Sequence, residues 1–81
     1  MPSLDSLDKE QEAVISKINA TTELKKRLYS FGVSKGVTLK VKAFSPARNS
    51  MTITVNKTTM ALRLDEAAQI EVVLWSLYVS H

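Results

Sequence analysis

TTELKKRLYSFGVSKGVTLKVKAF, residues 21–44, changes its hydrophobic period midway. In the first half Leu24, Leu28 and Phe31 recur at i, i+4 and i+7, the spacing of one helix face. Thr22 stands where an N-cap is expected, with Glu23 in the first turn. Gly32 follows Phe31 where a left-handed C-terminal cap forms, so the helix is short. In the second half Val37, Leu39, Val41 and Ala43 fall on one face of a strand, and Thr38, Lys40, Lys42 and Phe44 on the other. A period of 3.6 that gives way to a period of 2 within one stretch excludes a helical bundle.

The same two-residue period extends outward. A first strand is expected from about Glu12 to Ile18. Met51, Ile53 and Val55 form another, the Asn56-Lys57 pair makes a tight turn, and Met60, Leu62 and Leu64 return as its hairpin partner. Asp65 to Gln69 fits a turn of helix capped by Asp65. A last strand begins at Ile70, where Ile70, Val72 and Leu74 alternate with Glu71 and Val73. The expected fold is mainly β: a small antiparallel barrel of about five strands, one short helix between strands 1 and 2, and a helical turn before the last strand. With 81 residues, two Gly, two Pro and no internal repeat, the chain reads as one domain, 1–81. A chain of this size buries only roughly 60% of its unfolded surface, which a closed barrel uses economically. Residues 74–81 read as an apolar C-terminal extension, either lengthening the last strand or wrapping onto the barrel.

Composition excludes several classes of function. No cysteine is present, so there is neither a disulfide framework nor a thiolate metal site, and a reducing, cytoplasmic setting is expected. The N-terminus carries acids where a secretory signal carries bases, and no run approaches the roughly 20 apolar residues of a membrane span. The single histidine, His81, is the last residue, which leaves no base for a catalytic triad; an enzyme is not expected. Gly32 and Gly36 match no phosphate-binding fingerprint. Glu66, Glu71 and His81 could in principle be recruited by a metal, but their spacing fits no compact site. No cofactor is expected. The formal charge of +3 hides a sharper division. From Leu24 to Leu64 there are nine basic residues and no acid, whereas the flanks hold two basic and eight acidic ones. Such asymmetry suits an anionic partner, or acidic ends folded over a basic middle, and Asp5, Asp8 and Glu10 are expected to lie against it.

RLYSFGVSKGVTLKV, residues 27–41, resembles the signature of the FeoA family, small SH3-like barrels associated with bacterial ferrous iron uptake. The matching positions are Arg27, Leu28, Phe31, Gly32, Gly36, Val37 and Leu39. FSPARNSMTITV is similar to the family's Ala-Pro loop and following strand, and MALRLDEAAQIEV to its closing strand, turn and last strand. The likeness covers residues 4 to about 73. It departs at Lys9-Glu10-Gln11, where the family often has Pro-Gly, and at Arg48-Asn49-Ser50, where it often has Gly-Asp-Pro; both are loops. The related barrel of iron-dependent repressors accompanies a winged-helix DNA reader, for which 81 residues leave no room. The resemblance implies a non-catalytic accessory protein acting with the cytosolic GTPase portion of the membrane transporter FeoB, without entering the membrane itself.

The candidate partner-binding residues are Leu24, Arg27, Leu28, Lys35, Lys40, Lys42, Arg63, Trp75 and Tyr78. Arg27 offers bidentate pairing to an acidic patch and Leu28 a rim anchor. Lys35, with Lys25 and Lys26, supplies electrostatic steering. Lys40 and Lys42 share a strand face on which Arg63 extends a basic stripe. Trp75 and Tyr78 offer docking to a second copy of the chain or to the transporter. The alternative is a nucleic-acid-binding barrel using the basic middle with Phe44 beside Lys40 and Lys42, but stacking aromatics are too few to favour it. Metal sensing is a third option, one that direct Fe(II) binding would reveal.

Overall fold

Strand β1 (Glu12–Ile18) leads into α1 (Thr22–Ser30), followed by β2 (Thr38–Phe44), β3 (Ser50–Val55), β4 (Thr58–Arg63), α2 (Leu64–Ala67), β5 (Ile70–Leu74) and α3 (Trp75–Tyr78). This computed structural model describes residues 2–76 and the backbone of residues 77 and 78. The five strands form one antiparallel sheet in the order β4-β3-β2-β1-β5. The fold is the mainly-β one expected, with α1 between the first two strands and a helical turn before the last. α2 joins the two edge strands, β4 and β5, between which no ladder forms.

The alternation in β3 and β4 survives intact. Met51, Ile53, Val55, Met60 and Leu62 are buried, and Ile53 lies opposite Met60. The two-residue turn sets this register, because Asn56 and Lys57 both take positive φ, at 49° and 73°. That is the conformation of the mirror-image turns that match strand twist.

β2 keeps its alternation only as far as Val41. The pairing with β3 shifts between Val41↔Ile53 and Ala43↔Thr52, so Lys42 is an extra residue in a β-bulge. Because side chains alternate with a period of two, one inserted residue exchanges the faces of everything beyond it. Phe44, expected on the outer face, therefore sits opposite Met51 and packs on the core, whereas Ala43 lies opposite Thr52. Arg48 closes over the outside of the Phe44 ring, 4.1 Å from its centre.

α1 starts one residue earlier than its sequence signal. Thr21, not Thr22, is the N-cap; its hydroxyl accepts from the Leu24 N–H at 3.3 Å. Leu24 and Leu28 are buried, as the spacing requires. Phe31 is not: it is the C-cap, where the backbone leaves helical geometry, and it is 40% exposed. The helical period cannot be carried past the last helical residue. Gly32 follows with φ +86°, the left-handed conformation expected of it. α2 likewise begins before its expected cap, with Arg63 at the N-cap and Asp65 inside the first turn.

Both chain ends add structure not legible in the sequence. Leu4, which opens a 3-10 turn at Leu4–Ser6, and Leu7, which follows it, are buried in the core. Pro2 O accepts from Val72 N–H at 2.9 Å and Ser3 bridges to Glu71, so the N-terminal segment covers the free edge of β5. β5 ends at Leu74. The described part of the tail continues as the helical turn α3, which contacts β1 and β5.

Candidate functional site

The residues nominated from the sequence divide among the core, a rim around α1 and α2, and a separate groove beside β2. Leu28 has no exposed surface and Leu24 is 8% exposed. Leu28 is not available as a rim anchor, because it is packed in the hydrophobic core, and Leu24, packed there too, shows only its edge to a groove beside α1. Lys35 is exposed in the turn before β2. The Tyr78 side chain lies outside the described residues, as does His81.

The rim is organised by a residue that was not nominated, Glu66. It follows the N-cap Arg63 by three positions, and its Oε1 accepts from the Arg63 N–H at 3.0 Å, the back half of a capping box. The same oxygen accepts from Arg27 Nη2 at 2.8 Å, so one carboxylate ties α1 to the start of α2. Burial raises the Glu66 carboxyl, but the hydrogen bonds from Arg27 and Arg63 and the charges of both guanidinium groups outweigh it. The net effect holds the carboxyl below its ordinary value. Arg63 turns its own guanidinium to Asp65, 3.3 Å away. Two grooves flank this network. One is lined by Thr21, Glu23, Leu24, Arg27 and Glu66, the other by Asn49, Ser50, Arg63, Leu64 and Asp65. The rim thus presents two cations, each beside an acid, with half of the Arg27 side chain and most of the Arg63 side chain still exposed. Charged groups of both signs held in fixed positions can read a partner surface of complementary pattern.

A separate groove beside β2 is lined by Glu10, Lys40, Lys42 and Thr54. Lys40 pairs with Glu10 at 3.3 Å, so one of the three N-terminal acids does lie against the basic middle. Asp5 and Asp8 form no ion pair among the described residues; Asp5 instead accepts from the Ser3 hydroxyl. Glu10 also lines a neighbouring hollow with Gln11, Glu12 and Trp75.

Lys40 and Arg63, expected to extend one basic stripe, stand apart along the sheet. Lys40 is opposite Thr54 and Arg63 opposite Ser50, four residues further along β3, which at about 3.4 Å per residue separates the two groups by more than 13 Å. Among the described residues no cluster of three potential ligands could hold a metal ion. Among the described residues no helix is long and apolar enough to cross a membrane.

A family model for the FeoA domain matches residues 3–74. The chain is 41% identical over 71 residues, 86% of its length and 95% of the relative's, to a Campylobacter jejuni subsp. jejuni protein that carries the name Fe(2+) transport protein A. FeoA from Chlorobium tepidum superposes with a TM-score of 0.88 at 26% identity, covering 91% of this chain and 70% of that one. FeoA from Stenotrophomonas maltophilia, solved as a zinc complex and described as a prokaryotic SH3 domain protein, gives a TM-score of 0.77 at 26% identity over 90% and 91% of the two chains.

Proposed function

Because the chain belongs to the FeoA family, we propose that it serves ferrous iron uptake as a non-catalytic cytoplasmic accessory protein that docks on the cytosolic GTPase portion of a FeoB-like transporter. The observation that carries this reading is the 41% identity spanning nearly the whole of a protein named for Fe(2+) transport. The surface supports docking through the rim of α1 and α2. SH3-like barrels host interaction sites on loops and short helices around a rigid core. Here Arg27 and Glu66 are held at 2.8 Å on such elements beside an open groove. Lys35, Lys40 and Lys42 add a positive field that speeds encounter with an acidic partner. Trp75, 40% exposed at the start of α3, offers a second surface for the transporter or for another copy of the chain.

The experiment is a pull-down with the GTPase domain of the cognate FeoB, paired with ferrous uptake in a deletion strain. The reading expects retention of the wild type and weakening by tenfold or more for the R27A/E66A pair. No retention together with normal uptake in the deletion strain overturns it. The nucleic-acid alternative loses its main support, since Phe44 is packed against the core and capped by Arg48.

A further inference from the structure

The nine cations of the middle segment are not equivalent. Arg27, Lys40 and Arg63 each pair with an acid, and Arg48 stacks on Phe44. Of the other five, Lys26, Lys35, Lys42 and Lys57 are exposed and Lys25 is half-buried; four of them belong to α1, the loop that leaves it and the turn beside that loop. Lys25 and Lys26 lie on α1. Lys35 is in the loop that leaves its last turn. Lys57 is in the β3–β4 turn, whose Asn56 Nδ2 lies 3.9 Å from where a Cβ on Gly32 would stand.

Two of the three exposed large apolar side chains among the described residues belong to α1 and its cap: Tyr29, 53% exposed, and Phe31, 40% exposed. At 100° per residue, Tyr29 and Lys26 share the arc of α1 turned away from Leu24 and Leu28, and Lys25 stands at the edge of that arc, half-buried. The one acid of α1, Glu23, lines the Arg27–Glu66 groove instead. From Leu24 to Leu64 the sequence supplies no other acid. Four lysines and two aromatic rings are therefore presented without a counter-charge.

We propose that this end of α1 with the β3–β4 turn is a docking surface for an anionic phospholipid bilayer. Lysines near such a surface attract through the negative headgroup potential, and aromatic rings settle at the headgroup level. A bilayer fits better than a peptide because the grooves described above, which a peptide would need, lie elsewhere. A bilayer also fits better than single-stranded nucleic acid, which requires rings stacked along a cationic channel. The surface is distinct from the Arg27–Glu66 rim and does not depend on the transporter reading.

The test is co-sedimentation of the full chain with equimolar phosphatidylglycerol–phosphatidylcholine vesicles and with pure phosphatidylcholine vesicles, at low and high salt. Binding is expected to the anionic vesicles only and to be released by salt. At roughly fivefold per lysine, K25Q/K26Q should weaken partition by more than tenfold. K9Q/K42Q, with the same change in net charge, should weaken it by threefold at most. Tyr29→Ser should weaken it without any change of charge, and circular dichroism checks that each variant is folded. Three results overturn the proposal: no binding to anionic vesicles, equal losses in the two lysine pairs, or tighter binding to a poly-glutamate peptide or a mixed oligonucleotide than to vesicles.

Discussion

Glu66 accepts from a backbone N–H and a guanidinium through one oxygen, and its ionised form is what both donors recognise. A carboxyl held below its ordinary value, near 4.5, contributes stability that is complete above that value. The contribution is lost as pH falls through the lower, folded-state value. The wild type should therefore exceed E66Q in stability at neutral pH, and the gap should close below about pH 4.5. Urea midpoints measured across the acid range check this. A gap that widens on acidification would contradict the arrangement. The same scale explains three strained turns. Glu10, Arg48, Asn56 and Lys57 hold positive φ without being glycine. Glu10 and Arg48 lie in the two loops where the FeoA resemblance departs from Pro-Gly and Gly-Asp-Pro. A Cβ in the left-handed region costs roughly 1 kcal/mol. K57G, which restores the preferred Asn-Gly pair, should stabilise the chain by about 0.5–1 kcal/mol in denaturant titration.

At the scale of elements, the decisive feature is the bulge at Lys42. It turns the end of β2 over, so that Phe44 enters the core and Ala43 leaves it. F44A should cost about 2–4 kcal/mol, in the range of large-to-small core substitutions, whereas K42A should stay within about 0.5 kcal/mol. Equal effects of the two changes would place Phe44 on the outer face after all. α1, β3 and β4 were legible because their signals are local. A cap residue, a glycine past the helix end and a two-residue turn each act through neighbours in sequence. The bulge was not legible, because the alternation of residues 37–44 is unbroken in the sequence. The extra residue is defined only by where β3 pairs.

Across the whole molecule, the first residues and the last strand hold each other. Leu4 is fully buried and Pro2 bonds Val72, contacts spanning nearly the full chain. L4A should cost about 2–5 kcal/mol. In a domain of this size that lowers Tm by well over 10 °C, with α1 and the sheet melting in one transition. Calorimetry that separates two transitions would show the N-terminal segment to be an appendage.

The charge division also resolves at this scale. The sequence placed nine cations without an acid between Leu24 and Leu64. The fold neutralises three of them with Glu10, Asp65 and Glu66, and leaves Lys25 and Lys26 on α1, Lys35 in the loop after it and Lys57 in the β3–β4 turn without an acid partner among the described residues. The sequence by itself determined a mainly-β domain with one short helix, the turn at Asn56-Lys57, most of the core and the family likeness. Period, caps and turns are set by residues a few positions apart. Only the tertiary structure decided that Phe31 stands outside the core, that Phe44 faces inward, and that Glu66 joins α1 to α2. It likewise decided that Arg63 stands apart from Lys40. Each of these depends on strand register and on contacts between residues distant in sequence, which no local pattern encodes.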